Sequence, residues 1–206
     1  MKIVKLISNY LDSNTFILIK GKSALIIDSA VDTEKVKQVV EDLKVEGILL
    51  THGHYDHSLN ANEYAQIFST KVYVNKNARG TLKNPELNYG KTFKIDDFTN
   101  FEFIDGDGKL KLGNFKIEYF HTPGHSTCLN SYLIDKNLFV GDCIFRDGIG
   151  RTDLLTSNKD DMIDSLKKLE KLDFSMCYSG HYEDSDFERM KKNIKLYIKF
   201  FSRNKK

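Results

Sequence analysis

The sequence predicts an α/β protein in which two groups of strands alternate with helices. Three observations predict it. The opening stretch reads strand, strand, helix, strand. A second strand group between Phe101 and Val140 is followed by a helix and a last strand. Four apolar strand-like runs are each followed at once by histidine or aspartate, the pattern of a site built from loops on a rigid scaffold.

Met1 to Ser8 is apolar but interrupted by Lys5, too short for a signal segment, and reads as a first strand. Thr15–Ile19 and Ala24–Ile27 flank Lys20-Gly21-Lys22, a hairpin signal. Asp32 opens a helix carrying Val36, Val39, Val40 and Leu43 at helical spacing. Gly47 is expected to end that unit, and the strand to Leu50 delivers a loop, Thr51-His52-Gly53-His54-Tyr55-Asp56-His57. A further helix is expected from Leu59 to Ile67, then a strand at Lys71–Val74. Residues 75–100 are polar and carry Pro85, Asn88 and Gly90, so the expectation there is an irregular loop or lid.

The second group comprises Phe101–Ile104, Leu110–Leu112, Phe115–Phe120, Ser131–Ile134 and Leu138–Val140, with Gly106, Gly108 and Gly113 at turns. Ser157-Asn158-Lys159-Asp160 resembles a capping box ahead of a helix with Met162, Ile163, Leu166, Leu169 and Leu172 on one face. Met176–Tyr178 reads as a final strand. The tail from Asp186 reads as a helix ending in basic residues. Without repeats or a linker, residues 1–206 are read as one domain.

Bulk composition excludes several classes. Hydrophobic residues at 40% and charged residues at 29% fit an ordinary globular chain rather than a disordered one. A net charge of +2 gives no electrostatic case for nucleic acid or a membrane surface, and no apolar run approaches a membrane span. Cys128, Cys143 and Cys177 are odd in number and form no C-x-x-C pair, which points to a reducing, cytoplasmic setting.

Three imidazoles and a carboxylate in one loop are hard to explain by packing, and that donor set suits zinc, iron or manganese. His125 follows Phe115–Phe120, Asp142 follows Leu138–Val140, and His181 follows Met176–Tyr178. A lone histidine after a strand is ordinarily surface or hydrogen-bonded, and a lone Gly-Asp is ordinarily a turn. In combination, seven candidate donors result: His52, His54, Asp56, His57, His125, Asp142 and His181. That is too many for one tetrahedral ion and enough for two. If the strands share a sheet and run the same way, all seven meet at one edge.

The order H-x-H-x-D-H, T-P-G-H, G-D and G-H, over nearly the whole chain, resembles the metallo-β-lactamase superfamily. The resemblance implies an αββα four-layer sandwich of two mixed sheets flanked by helices. It implies two divalent ions, zinc first, with iron or manganese also fitting. One would take His52, His54 and His125, the other Asp56, His57 and His181, with Asp142 bridging. His121 matches no ligand, and Asp28 resembles a position that supports the histidine loop. Asp142 stands where many β-lactamases of this superfamily place cysteine, and His54 where oxygen-reducing relatives carry glutamate. Both point toward glyoxalase II-like (hydroxyacylglutathione hydrolase) proteins. The resemblance therefore implies hydrolysis of a small thioester such as a hydroxyacylglutathione by a metal-bridging hydroxide, oriented by Asp56. Arg151 and Tyr182 are the candidate substrate contacts. For Arg151 a pairing with Asp153 is an equal alternative, and for Tyr182 the alternative is a surface ring. A persulfide dioxygenase with a single iron, or a lactonase or phosphodiesterase on the same metal core, are the competing activities.

Overall fold

In the computed structural model, which describes residues 1–203, two six-stranded mixed sheets lie face to face with helices outside each. The first sheet orders β1 (Lys2–Ile7), β2 (Asn14–Lys20), β3 (Ser23–Ile27), β4 (Lys44–Leu49), β5 (Val72–Asn75) and β6 (Phe101–Ile104) in sequence. β1 to β3 are antiparallel neighbours, whereas β3 to β6 run parallel, Ile27 pairing with Leu49 and Ile48 with Val72. Parallel neighbours need crossovers, and helices supply them: α1 (Thr33–Val40), α2 (Tyr55–Ser58) with α3 (Ala61–Ile67), and α4 (Ala78–Lys83) with α5 (Pro85–Asn88).

The second sheet holds β7 (Gly108–Leu112), β8 (Phe115–His121), β9 (Asn130–Ile134) and β10 (Asn137–Gly141), then β13 (Met176–Ser179) and β14 (Ser185–Asp186). A small hairpin, β11 (Ile144–Phe145) with β12 (Gly148–Ile149), and α6 (Lys159–Glu170) lie between β10 and β13, and α7 (Phe187–Arg203) follows β14.

Strand alternation builds three apolar layers. On β2 and β3, Phe16, Leu18, Leu25 and Ile27 face the other sheet, while Ile17, Ala24 and Ile26 face the helices. Leu49 and Phe139 join the layer between the sheets. Leu138, Val140 and Cys177 turn outward against Met162, Leu166 and Leu169 of α6 and Met190 and Ile194 of α7. Strands buried on both faces read as nearly continuous apolar runs, which is why they were legible in sequence. The result is the αββα sandwich.

The structure corrects five expectations. Gly47 ends nothing: it lies inside β4, where a Cβ would come within 2.7 Å of Leu112 from the facing sheet and 3.3 Å of Tyr73 from the neighbouring strand. α1 stops at Val40, ahead of Leu43, because Glu41 takes a positive φ of 43°. Residues 75–100 are only partly irregular: α4 buries Ala78, Thr81 and Leu82 and α5 follows, while residues 89–100 carry no helix or strand, as expected. Pro85 starts α5 under the Asn84 cap, a position where proline's missing N–H costs nothing. In the presumed capping box the cap is Asn158, whose Oδ1 accepts from the Asp160 and Asp161 N–H groups; Ser157 instead closes a turn with Leu154. Finally, the site-bearing strands do not share a sheet. β4 lies in the first, and β8, β10 and β13, which run in one direction, lie in the second. The helical expectation for the tail holds through residue 203, and residues 204–206 lie outside the described residues. No helix among the described residues is long and apolar enough to cross a membrane.

Candidate metal centre

The ends of the two sheets are tied together where the site forms. Tyr132 of β9 donates its hydroxyl to the Leu50 carbonyl (2.7 Å), and the Asn130 N–H donates to the Thr51 carbonyl (2.8 Å). The Asn14 N–H donates to the Gly180 carbonyl (2.7 Å), and the Gly180 N–H to the Gly141 carbonyl (2.8 Å). His52 and His54 come from the segment after β4, while Asp56 and His57 sit on the single turn of α2, not on an irregular loop. His125 lies between β8 and β9, Asp142 directly after β10, and His181 directly after β13.

All seven predicted donors converge. His54 Nδ1 lies 3.0 Å from His52 Nε2 and 3.1 Å from His125 Nε2. His181 Nε2 is 3.3 Å from both His57 Nε2 and Asp56 Oδ2. Asp142 stands between the two groups. Its Oδ1 faces His57 Nε2 at 3.5 Å; its Oδ2 faces His125 Nε2 at 3.5 Å and His181 Nε2 at 3.4 Å. The donor atoms of His52, His54 and His125, of His52, His57 and Asp142, and of Asp56, His57 and His181 each lie within 4.8 Å of one another.

The outer hydrogen bonds fix what the inner nitrogens present. Thr51 Oγ1 donates to Asp28 Oδ2 (2.9 Å), which leaves it to accept from His52 Nδ1 (3.1 Å). His57 Nδ1 donates to the same carboxylate oxygen (2.9 Å), and His125 Nδ1 donates to the Arg151 carbonyl (3.1 Å). With Nδ1 protonated outward, the neutral rings of His52 and His125 turn an Nε2 lone pair inward, the arrangement that metal-ligating imidazoles adopt. Burial, then neighbouring imidazoles, push His52 well below its ordinary range and His54 down to about 3; His125 is lowered chiefly by burial. On the carboxylate side, burial opposes charge but is outweighed. Asp56, Asp142 and Asp28 draw His57 up to about 9, and Asp142 and Asp56 draw His181 up to about 11. For Asp142 too, burial is outweighed, by His57, His181 and His125, which hold its carboxyl well below the usual range.

These residues fit a divalent metal site. Asp142 Oδ1, which lies among these donors, is a buried polar atom with no hydrogen-bond partner, a costly arrangement in a merely structural cluster. The space beside Asp142 is kept open by glycine: a Cβ at Gly180 would run into Asp142 Oδ1 and come within 2.7 Å of His57 Cε1. Gly141, with φ of +51°, lies against the Thr51 side chain, where a Cβ would come within 2.7 Å of it, and makes the turn that leads into Asp142.

Asp28 carries out the supporting role expected of it, accepting the Thr51 N–H (2.7 Å) as well as Thr51 Oγ1 and His57. His121 stays outside, bonded to the Thr127 carbonyl (2.9 Å). Cys143, next to Asp142, is buried away from the donors with its sulfur 3.8 Å from Met162 Sδ; burial, then Asp142, push its thiol up to about 12. Arg151 realises the alternative expected for it: its guanidinium makes a two-point pair with Asp153 (2.9 and 3.0 Å). Tyr182 is 73% exposed, its ring 5.3 Å from that of Phe145. Three residues near the centre escaped the sequence reading. Thr51 was hidden inside the motif itself. Tyr89, edge-on to His54 at 5.1 Å, lay in the segment taken as irregular. Phe145, 6.1 Å from His181, follows Asp142 by three residues and was given no role of its own.

A two-sheet αββα sandwich with a histidine–aspartate metal centre on one edge defines a metal-dependent hydrolase. The family model of the metallo-beta-lactamase superfamily matches residues 9–181, and the chain belongs to that superfamily. It is 32% identical over 185 residues to the probable metallo-hydrolase YqgX of Bacillus subtilis, covering 85% of this chain and 88% of that protein. It is also 32% identical over 170 residues to the hydroxyacylglutathione hydrolase GloC of Haemophilus influenzae, covering 78% and 80% of the two chains. Among solved structures, the B3 metallo-beta-lactamase BLEG-1 superposes with a TM-score of 0.88 at 27% identity, covering 95% of this chain and 99% of that one.

Proposed function

We propose that the protein hydrolyses an acyl thioester, holding two divalent ions, zinc in the first instance, with His52, His54 and His125 on one side, Asp56, His57 and His181 on the other, and Asp142 between. The observation that carries the two-ion reading is Asp142, whose carboxylate lies within 3.5 Å of His125 of one donor group and of both His57 and His181 of the other. When bound, the ions supply an acidified water and a Lewis acid for the substrate carbonyl.

The chain's own residues do the rest. Asp56, buried and 3.3 Å from His181, offers its carboxylate to accept a hydrogen bond from the attacking water and fix its direction. Its backbone is held by Ser13, whose hydroxyl donates to the Asp56 carbonyl (2.5 Å). Thr51, Asp28 and the Arg151 carbonyl hold the imidazoles in register, so that little rearrangement is needed as charge develops. Water adds to the carbonyl carbon, the carbon–sulfur bond breaks, and a carboxylic acid and a thiol leave. A thiolate is a good leaving group and needs no strong general acid, which suits a centre made of acceptors. Likeness to GloC supports a thioester. The pairing of Arg151 with Asp153 takes support from the glutathione contact expected of Arg151. Three unpaired buried thiols support a reducing, cytoplasmic setting.

The test is turnover of S-lactoylglutathione by protein whose metal content is measured in the same sample. Turnover with about two ions per chain, as two-metal hydrolysis requires, is expected. Two ions with no turnover of any thioester overturn the substrate class, and a single iron with oxygen consumption moves the protein to the dioxygenases.

A further inference from the structure

The β11–β12 hairpin carries Arg146 and Asp147 at its tip, and these two residues line two adjoining cavities. One, of about 360 Å³, is walled by Phe145, Gly148, Tyr182 and Glu183 and lies beside the metal centre, since the Phe145 ring is 6.1 Å from that of His181. The other, of about 800 Å³, continues along the outer face of α7 past Arg189, Lys192, Lys195 and Lys199. Asn193 of α7 fixes the hairpin over both, donating to the Phe145 carbonyl (2.8 Å) and the Gly148 carbonyl (3.2 Å).

The second cavity has an excess of positive charge: five cations line it against two carboxylates, Asp147 and Glu188. Asp147 is already engaged by Arg189. Lys192, Lys195 and Lys199 share one exposed face of α7 and have no ion-pair partner among the described residues. Arg146, between the cavities, keeps its Nε buried with no hydrogen-bond partner, and Asp147 Oδ2 is 3.8 Å away. Three unpaired ammonium groups on one helix face repel one another, and a multiply charged anion placed among them relieves that repulsion.

We infer that the second cavity receives the phosphate-bearing thiol arm of the substrate. The acyl group lies at the metal donors, the arm runs past Phe145 and Tyr182, and phosphate sits among Lys192, Lys195 and Lys199 with Arg146 at the passage. The inference rests on the thioester reading and names its substrate class.

The experiment compares one acyl group on three thiols: butyryl-pantetheine, butyryl-4′-phosphopantetheine and butyryl-coenzyme A, with the metal-loaded protein. The phosphate-bearing thioesters should exceed the pantetheine thioester in kcat/KM by on the order of tenfold, the scale of electrostatic focusing at a charged cleft. The difference should lie in KM, shrink as salt rises, and fall toward one in the triple variant Lys192→Gln, Lys195→Gln, Lys199→Gln. Full preference on the phosphopantetheine compound assigns the site to a single phosphate, as on a carrier-borne arm. Preference on coenzyme A alone assigns it to the nucleotide, and both uphold the inference. Equal kcat/KM on all three, or a preference that neither salt nor the substitutions reduce, overturns it and leaves the thioester reading standing. No hydrolysis of any of the three, or of S-lactoylglutathione, overturns both.

Discussion

At the scale of single residues, Asp28 shows how much of the centre is held from outside it. One carboxylate accepts from the Thr51 backbone, the Thr51 hydroxyl and His57, and so orients two of the five imidazoles at once. It does this from a left-handed backbone with φ of 61°, a conformation that asparagine also adopts readily. Asp28→Asn therefore keeps the backbone and removes the charge and one acceptor. Metal affinity should fall roughly 10–100-fold, the usual cost of losing a partner behind a ligand. Chelator competition measures this, and an affinity equal to that of the natural chain would remove Asp28 from the support of the site. The donors were legible because histidine and aspartate crowd into short motifs. Tyr89 and Phe145 were not, since an isolated aromatic residue carries no signal until the fold sets it against His54 or His181.

At the scale of elements, α6 covers the outer face of the second sheet and also reaches back to the site. Asn158 caps it through Asp160 and Asp161, and its own N–H donates to the Gly124 carbonyl (2.8 Å), in the turn that presents His125. Asn158→Ala should cost about 1 kcal/mol of stability, typical for a lost cap. The midpoint of urea unfolding checks it, and no shift there would mean that water replaces the cap without loss. The cap was one residue from where the sequence placed it, because serine and asparagine are both good caps and only the backbone turn chooses between them. The helices within residues 75–100 were missed for a related reason. α4 and α5 are short, and their stability comes from burying Ala78, Thr81 and Leu82 against the sheet rather than from propensity.

At the scale of the whole molecule, the metal centre joins two halves of the chain. His52, His54, Asp56 and His57 extend from the first sheet, and His125, Asp142 and His181 from the second. An ion held by both stabilises their apposition by mass action, roughly 4 kcal/mol at a concentration 1,000 times its dissociation constant. For a chain of this length, chelation should then lower the melting temperature by about 10 °C, with recovery on adding back zinc. Calorimetry with and without chelator reads this directly, and identical melting curves would mean that the donors hold no ion in the folded state.

By itself the sequence determined the chemistry and the order of the parts: which strands are buried, where each ends, and that each of four strand ends carries a donor. These are local properties, written in side-chain period and in the residues that follow a strand. The tertiary structure alone decided which strands fall in which sheet, that Tyr89 and Phe145 lie against His54 and His181, and that the cavity beside Phe145 shares Arg146 and Asp147 with the cation-lined face of α7. Those relations depend on contacts between segments far apart in the chain, such as Asn14 with Gly180 and Thr51 with Asn130. No local pattern encodes such contacts, because it is the packing of the whole core that selects them.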